Sequence, residues 1–235
     1  MAISVRHLMP HEIAIKKLVP ILLAAGLSAR MGAVNKLVLP IDGESLVRRT
    51  AKTLLSFSDV KPVVVVGYEA DCIISLLDDL PLIIVKNEHY QTGQMSSVIA
   101  GLAAATNASD YMLCLADLPY LTVNNCRHLH LAHSSATDGQ ITVPVEMQNG
   151  IVSRRGNPII IPAAARTEII QNNAKLGCRG LLDKHPELIH PYETTSEGFY
   201  IDIDTPNDYR DLTGHLPDHQ IIKSKEENLW NSLTK

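Results

Sequence analysis

Short apolar runs that alternate with amphipathic segments are the feature that most restricts how this chain can fold. Runs rich in leucine and β-branched residues predict strands at residues 19–23, 62–67, 82–86, 111–115, 141–145, 158–161 and 199–203. Between them, apolar residues at helical spacing predict helices at residues 45–56, 69–77, 95–105 and 123–132. The early strands are apolar on both sides of the pleat, as is typical of strands that helices cover on both faces. The pattern therefore predicts an α/β fold with three layers, α/β/α, around a mostly parallel sheet.

Length, charge and cysteine content narrow the class of protein. The 235 residues suit one domain, and the net charge of -4 argues against nucleic-acid binding, which needs a surplus of Lys and Arg on one face. No window is apolar enough to span a bilayer, and the four cysteines lack CxxC spacing, which fits a reducing compartment. We expect a cytoplasmic protein with no membrane partner. Its predicted parts are an N-terminal extension (1–17), one domain (18–214) and a C-terminal tail (215–235).

The loop after the first predicted strand has the composition of a phosphate-binding loop. It reads Leu23-Ala24-Ala25-Gly26-Leu27-Ser28-Ala29-Arg30-Met31-Gly32 and is soon followed by Lys36. It matches neither the P-loop pattern nor the GxGxxG dinucleotide fingerprint. Its small residues let the backbone approach a ligand closely, and its glycines allow successive N–H groups to converge on phosphate oxygens. Arg30 and Lys36 add two cations, although a tight turn with two solvated basic residues would explain the composition equally well.

This loop resembles the opening motif of the nucleotidyltransferases that activate sugars, isoprenoid precursors and the molybdenum cofactor. The resemblance is greatest to the molybdenum cofactor cytidylyltransferases, whose motif is LAAGxSxRMG with a lysine soon after it. It implies a Rossmann-like sheet of the nucleotide-diphospho-sugar transferase type. The related guanylyltransferases typically have LAGG at this point, so Ala25 in the place of the second glycine favours CTP as the nucleotide donor.

Two further motifs match the same family. The segment Gly93-Gln94-Met95-Ser96-Ser97 resembles the GQSxSL element near the base and ribose, and a serine N-cap of the following helix is the alternative explanation. The segment Ala116-Asp117-Leu118-Pro119 resembles the family's GDMP. An aspartate at the end of a parallel strand faces the ligand crevice, where it can hold Mg²⁺ against a triphosphate, whereas an Asx turn before proline is the alternative.

A second group of carboxylates resembles the DIDTPED motif, with Asn207 in place of the glutamate. If residues 199–203 form a strand, alternation places Asp202 and Asp204 on the same face, so that both can point at one ion. We expect Asp202 to bind Mg²⁺, with Asp204 either beside it or capping the helix that begins at Pro206.

The resemblance implies roles for individual residues. It implies catalytic roles for Arg30, Lys36 and Asp117, and metal binding by Asp117, Asp202 and Asp204. The residues expected to bind the nucleotide are Leu23, Ala24, Ala25, Gly26, Ser28, Arg30, Gly32, Lys36, Gly93, Gln94, Ser96 and Ser97. Weaker matches suggest that Arg155, Asn157 and Arg179 contact the acceptor, although a solvated arginine explains Arg179 equally well.

The resemblance implies Mg²⁺-dependent transfer of CMP from CTP to molybdenum-molybdopterin, with a client molybdoenzyme of the xanthine dehydrogenase type. Other phosphorylated acceptors, such as a sugar phosphate or methylerythritol phosphate, and GTP as donor remain open. So do an oxidoreductase that binds a reduced dinucleotide and a non-catalytic escort for the cofactor. His128, His130 and His133 lack the spacing of zinc ligands and are expected at the surface.

Overall fold

The structure, a computed structural model, describes residues 17–32, 34–171 and 186–217. Its strands are β1 (Leu18–Ala24), β2 (Pro40–Ile41), β3 (Glu44–Ser45), β4 (Val63–Val66), β5 (Ile83–Lys86), β6 (Asp110–Leu115), β7 (Ile141–Gln148), β8 (Ile151–Arg155), β9 (Ile159–Pro162) and β10 (Ile189–Glu193). The main sheet has the order β10-β7-β9-β6-β1-β4-β5, with β8 paired to β7, and β2 and β3 form a separate ribbon. The run β6-β1-β4-β5 is parallel throughout, whereas β9 is antiparallel to β6 and β7.

Helices cover both faces of the main sheet. They are α1 (Leu46–Phe57), α2 (Ala70–Ser75), α3 (Gln94–Ala104), α4 (Val123–His133), α5 (Ala163–Gln171) and α6 (Pro206–Thr213). Alternate residues of β1 point to opposite faces: Leu22 belongs to the core cluster that includes α1, α2, α4 and α6, and Ile21 to the cluster that includes α3 and α5. The predicted three-layer α/β/α fold with a mostly parallel sheet is therefore confirmed.

One predicted strand is wrong. Residues 199–203 form the end of a 3₁₀ turn, Glu197–Phe199, and an irregular loop that pairs with no strand. The Phe199 carbonyl accepts a hydrogen bond from the Asn157 N–H, and the Ile203 N–H donates to the Asp117 carbonyl. These backbone groups therefore bond to loops at the edge of the sheet instead of to a neighbouring strand. The apolar pattern arises because Phe199 and Ile203 are buried under this loop.

The sequence pattern did not predict the short ribbon β2–β3, helix α5, or two strands at the far end of the sheet, β8 and β10. The five residues of β8 are mostly exposed and do not alternate, so they carry no core signal. β10 is an edge strand that contains Pro191, and a proline normally argues against a strand. The remaining predicted strands and the four predicted helices are present with boundaries shifted by a few residues.

The parallel strands end at one edge of the sheet, where their loops meet. Close packing shapes this edge: a Cβ at Gly67, after β4, would lie 2.6 Å from the Tyr90 Cβ and 2.9 Å from the Ala25 Cβ. Only glycine lets the loops after β1, β4 and β5 approach so closely. Ligands of open α/β sheets bind at this carboxyl edge, so the candidate site is sought there.

The start of α6 confirms the helix predicted at Pro206. Thr205 is the N-cap: its side chain accepts a hydrogen bond from the Asp208 N–H, and the Asp208 carboxylate accepts one from the Thr205 N–H. Because Thr205 caps the helix, the Asp204 side chain is available for other contacts.

None of the helices in the described ranges combines the length and apolar composition that a bilayer-spanning helix requires.

His133 is buried, so its predicted surface position is wrong. Its Nδ1 lies 2.6 Å from the Thr142 Oγ1, and its Nε2 lies 3.3 Å from the Asp110 Oδ1. All three residues are buried, and they join α4 to β6 and β7. These polar partners on neighbouring strands allow an imidazole to replace an apolar side chain in the core.

Replacing His133 with alanine should destabilise the protein. The substitution leaves a cavity and removes hydrogen bonds from a buried carboxylate and a buried hydroxyl, so we expect the free energy of unfolding to fall by about 2–4 kcal/mol. Urea denaturation followed by circular dichroism measures it. His128→Ala, at an exposed position of the same helix, should change the free energy by less than about 0.5 kcal/mol; equal effects would contradict the structural role of His133.

Candidate active site

Ser28 fixes the shape of the loop after β1. It adopts a left-handed conformation, with φ of 51°. Its Oγ accepts a hydrogen bond from the Lys36 N–H at 3.2 Å and donates one to the Asn35 Oδ1 at 3.3 Å. The same Asn35 oxygen accepts from the Leu37 N–H at 3.1 Å. Ser28 therefore ties the two ends of the loop together and sets the position from which the Lys36 side chain extends.

The Lys36 side chain joins two carboxylates from distant parts of the chain. Its Nζ donates to the Asp117 Oδ2 at 2.6 Å and to the Asp204 Oδ1 at 2.7 Å. Arg30 reaches the other oxygen of Asp204, with an Nη2–Oδ2 distance of 2.7 Å. The Lys36 and Asp117 side chains are each only 13% exposed, whereas Arg30 is 69% exposed. The three predicted catalytic residues therefore meet in one ion-pair cluster.

The environment shifts the pKa values of two members of this cluster. Burial alone would lower the pKa of Lys36, but the charges and hydrogen bonds of Asp117 and Asp204 outweigh it and raise that pKa. Partial burial, together with the negative charges of Asp204 and Asp117, raises the pKa of Asp202. Lys36 is therefore a permanent cation in this cluster, while a positive ion near Asp202 would stabilise its charged form.

The three predicted metal ligands lie together and fit a divalent cation. Asp117, Asp202 and Asp204 each offer a carboxylate oxygen within 4.8 Å of the other two. The Asp117 Oδ1 is buried and has no hydrogen-bond partner among the described residues. A buried carboxylate oxygen without a partner is costly, and hard oxygen ligands of this kind are those that Mg²⁺ prefers. The strand predicted to align Asp202 with Asp204 is absent. The loop in its place still brings the two carboxylates together.

A cavity of about 440 Å³ opens between this cluster and the loops after β1 and β5. The predicted nucleotide-binding residues that line it are Leu23, Ala25, Gly26, Ser28, Arg30, Lys36, Gly93, Gln94 and Ser97. Ala24 is buried in the core instead, and Gly32 lies outside the lining. Ser96 also lies outside it, because its Oγ donates to the carbonyls of His89 and Gly93 and supports the loop before α3.

Further lining residues escaped the sequence analysis. Leu27, Tyr90 and Gln91 contribute to this cavity. Leu27 occupies the variable position of the first motif, and it is 45% exposed although it is apolar. Tyr90 and Gln91 lie just before Gly93, so their closeness to the second motif was the available signal.

A second cavity, of about 590 Å³, adjoins the first. The two share Leu23, Arg30, Gln94, Leu115, Asp202 and Asp204, so the carboxylates lie between them. The predicted acceptor residues Arg155 and Asn157 line the second cavity, whereas Arg179 lies outside the described residues. Arg154 and Tyr200 also line it and were not predicted. The pair Asn149-Gly150 between β7 and β8 was a hairpin signal that could have predicted the pairing of β8, and so of Arg154, with β7.

This site has the parts needed to join two phosphate-bearing molecules. One cavity lies against a small-residue loop and two cations, the other against arginines and apolar side chains, and a carboxylate cluster suited to a cation separates them. Adjacent cavities that share a charged centre can hold two reactants in contact, which lowers the entropic part of a reaction barrier.

Solved structures with the same architecture include nucleotidyltransferases. A nucleotidyl transferase from Methanothermobacter thermautotroptrophicus superposes with a TM-score of 0.70 at 19% identity, covering 85% of this chain and 97% of that one. A CMP:2-keto-3-deoxy-manno-octonic acid synthetase complexed with CTP gives a TM-score of 0.67 at 11% identity, covering 84% and 97%. These likenesses show the nucleotide-diphospho-sugar transferase type of fold.

Sequence comparison identifies the family. The chain is 31% identical over 191 residues to a nicotine blue oxidoreductase from Paenarthrobacter nicotinovorans. The aligned region covers 79% of this chain and 91% of that protein. The model of the MobA-like NTP transferase domain matches residues 20–188, a range that contains the loop after β1, Lys36 and Asp117. The chain therefore belongs to the MobA-like NTP transferase family, a nucleotidyltransferase family.

Proposed function

We propose that the protein is a Mg²⁺-dependent cytidylyltransferase that transfers CMP from CTP to the phosphate of molybdenum-molybdopterin and releases pyrophosphate. The observation that carries this proposal is the carboxylate cluster of Asp117, Asp202 and Asp204 beside Lys36 and Arg30, of which Asp202 and Asp204 line both adjoining cavities. Such an arrangement suits a reaction in which an acceptor from one cavity attacks a nucleotide in the other.

The chemistry requires little covalent participation by the protein. An oxygen of the acceptor phosphate attacks the α-phosphorus of CTP, the bond from that phosphorus to the bridging oxygen of the β-phosphate breaks, and pyrophosphate leaves. A phosphate is largely ionised at neutral pH, so no general base is needed. The protein aligns the two reactants and offsets their charge. This accounts for the absence of histidine from the lining residues that the structure describes.

Lys36 and Arg30 are the groups that would bind the triphosphate. Both contact carboxylates here, and both line the nucleotide cavity, so a bound triphosphate would offer each of them phosphate oxygens in place of its carboxylate partner. Their charges would then stabilise the pyrophosphate as it leaves. Asp117, Asp202 and Asp204 would hold Mg²⁺, which would polarise the α-phosphate and neutralise triphosphate charge.

Three observations support CTP as the donor. Ala25 lines the nucleotide cavity, and its methyl group lies close to Gly67, which has no side chain. This close packing fixes the methyl group in place. A methyl group at this point reduces the room for a base, which favours a pyrimidine over a purine. A solved structure with this fold is named as a CTP complex, and the LAAG motif resembles that of cytidylyltransferases.

The second cavity supports a bulky anionic acceptor. It combines Arg155 with apolar side chains such as Leu118 and Ile159, which suits a ring system that carries a phosphate. We further propose that a molybdoenzyme of the xanthine dehydrogenase type receives the product in the cytoplasm. Cys114 and Cys126 are buried thiols, which fits a reducing compartment. We propose residues 18–214 as the transferase domain, flanked by the extension 1–17 and the tail 215–235.

Pyrophosphate release tests the proposal directly. Purified protein with Mg²⁺ is supplied with molybdopterin or its molybdenum form and with CTP, GTP, ATP or UTP in separate reactions. Release that depends on the acceptor and is fastest with CTP is the expected result. Preference for GTP would overturn the donor assignment, and release that requires a sugar or polyol phosphate would overturn the acceptor.

Replacing Ala25 with glycine should relax the choice of donor. Removing the methyl group enlarges the nucleotide cavity, so we expect the ratio of kcat/KM for CTP to that for GTP to fall by about tenfold, the effect of one methyl group in a binding pocket. Ala24→Gly is the matched control, because Ala24 points into the core. An unchanged ratio in Ala25→Gly would show that Ala25 does not select the base.

A second candidate function is supported by the identity to a nicotine blue oxidoreductase. An enzyme of this kind would bind the phosphates of a reduced dinucleotide in the loop after β1 and a flat substrate in the second cavity. The carboxylate cluster distinguishes the two functions, because metal-assisted nucleotidyl transfer requires it and hydride transfer does not. Oxidation of NADH or NADPH by the purified protein with a quinonoid dye, in the presence of EDTA, would favour the oxidoreductase.

A further inference from the structure

Arg154 is held on the wall of the second cavity by a carboxylate across the β7–β8 hairpin. Glu146 on β7 pairs with Arg154 on β8. The Arg154 Nε lies 2.7 Å from the Glu146 Oε2, and its Nη2 lies 3.3 Å from the Oε1. This is a bidentate ion pair that occupies one edge of the guanidinium and offsets its charge.

Tyr200 lies against one side of the same guanidinium. The Arg154 Cζ lies 4.3 Å from the centre of the Tyr200 ring, over its face. The Tyr200 hydroxyl donates to the Thr194 carbonyl at 2.8 Å, and a Cβ at Gly156 would lie 2.9 Å from the Tyr200 Cε1. The ring is thus fixed by a hydrogen bond at one end and by close backbone packing along its edge. It forms a rigid support for Arg154.

These contacts make Arg154 a weak anchor for an anion. Glu146 accepts hydrogen bonds from two of its five N–H groups and offsets its charge, so a phosphate at the other N–H groups would compete with an existing carboxylate. Arg154 also offers a ligand the face of its guanidinium opposite Tyr200. A guanidinium is planar and weakly hydrated, and it stacks well on flat π systems.

The rest of the cavity wall suits the same kind of ligand. Leu113, Leu118, Val143 and Ile159 line it with apolar surface, and Asn157 adds a side-chain amide that can donate to and accept from the edge of a heterocycle. Pockets built of apolar walls and a few polar groups bind flat organic rings by burial and orient them by hydrogen bonds.

We propose that Arg154 determines acceptor specificity by stacking on a planar heteroaromatic ring of the acceptor, with Glu146 and Tyr200 as the residues that position it. The inference deepens the proposed function and rests on it, because it assumes that the second cavity binds the acceptor. It excludes acceptors that lack a flat ring, such as polyol phosphates, from efficient use.

Binding of 6-hydroxymethylpterin, a fluorescent planar probe, tests this inference without any turnover. Arg154→Lys keeps the charge and removes the plane, so we expect it to weaken pterin binding by about tenfold, as does Arg154→Met. Glycerol 3-phosphate, measured by isothermal titration calorimetry, should bind these variants and the wild type equally. Arg127→Lys, at an exposed position of α4 outside both cavities, is the matched control and should bind pterin as the wild type does.

Two results would overturn the inference. One is that Arg154→Lys binds pterin with the affinity of the wild type. The other is that the variants lose affinity for glycerol 3-phosphate and keep their affinity for pterin. Failure of the proposed function is separate, because it is measured as missing CTP-dependent pyrophosphate release. If wild-type protein releases pyrophosphate with a polyol phosphate and binds no pterin, nucleotidyl transfer stands and the stacking role of Arg154 is disproved.

Discussion

Replacing Asp117 with asparagine is expected to lower acceptor-dependent pyrophosphate release from CTP by about 100- to 1,000-fold, the loss that follows removal of a charged group acting on the transition state. The Asp117 Oδ1 is buried and has no hydrogen-bond partner in the part of the chain that the structure describes, and its Oδ2 accepts from Lys36 at 2.6 Å. Asparagine keeps the shape of the side chain but removes the negative charge that a divalent cation requires. The kcat at saturating CTP and Mg²⁺ is the quantity to measure.

Controls separate this loss from unfolding. Asp138→Asn makes the same substitution at an exposed position outside both cavities and should leave kcat unchanged. The circular dichroism spectrum of Asp117→Asn should match that of the wild type, while Mn²⁺ binding in the presence of CTP, followed by electron paramagnetic resonance, should weaken. If Asp117→Asn retained turnover within a few-fold of the wild type, the metal assignment would be wrong.

The architecture could be predicted wherever burial leaves a repeating pattern in the sequence. In the parallel run, β1, β4 and β6 are covered on both faces, so their apolar runs identify them. β8 and β10 escaped because they lie at the far end of the sheet, where exposure and Pro191 obscure the pattern. Residues 199–203 gave the opposite error, because a loop that buries Phe199 and Ile203 has the same apolar spacing as a strand.

The candidate site was predictable to the extent that each residue lies in a local motif. Asp117 and Lys36 lie in such motifs, and the topology brings them to within 2.6 Å of each other although 81 positions separate them. The prediction that Asp202 and Asp204 lie together rested on a strand that is absent from the structure. The loop in its place brings the two carboxylates together all the same. Arg154 could not be assigned from sequence, because its surroundings depend on Glu146 across a hairpin and on Tyr200 far along the chain.

The ion-pair cluster has a consequence for the order of binding. Lys36 and Arg30 form ion pairs with three of the carboxylate oxygens that a cation would use. The three carboxylates carry one more negative charge than these two cations offset. A triphosphate in the adjoining cavity offers Lys36 and Arg30 other anionic partners and releases those oxygens. Binding of nucleotide and of metal should therefore be mutually reinforcing, since each strengthens the other by the same factor.

Replacing Lys36 with methionine is expected to separate metal affinity from turnover. Without the ammonium group, Asp117 loses its ion pair and Asp204 keeps only Arg30. We therefore expect Mn²⁺ to bind about tenfold more tightly in the absence of nucleotide, a gain of about 1.4 kcal/mol. The same change should lower kcat by at least about 100-fold, because the charge on the triphosphate is no longer offset. Titration with Mn²⁺, followed by electron paramagnetic resonance with and without CTP, measures the first effect.

The thermal stability of Lys36→Met distinguishes this explanation from simple disruption of the site. Unpaired carboxylates repel each other, so the variant should melt at a lower temperature than the wild type without metal and regain the difference when Mn²⁺ is added. Lys52→Met, which removes the surface ion pair with Glu44, should change neither metal affinity nor kcat. If Lys36→Met lost Mn²⁺ affinity together with turnover, Lys36 would be a support for the metal site and not the internal cation that metal and nucleotide displace.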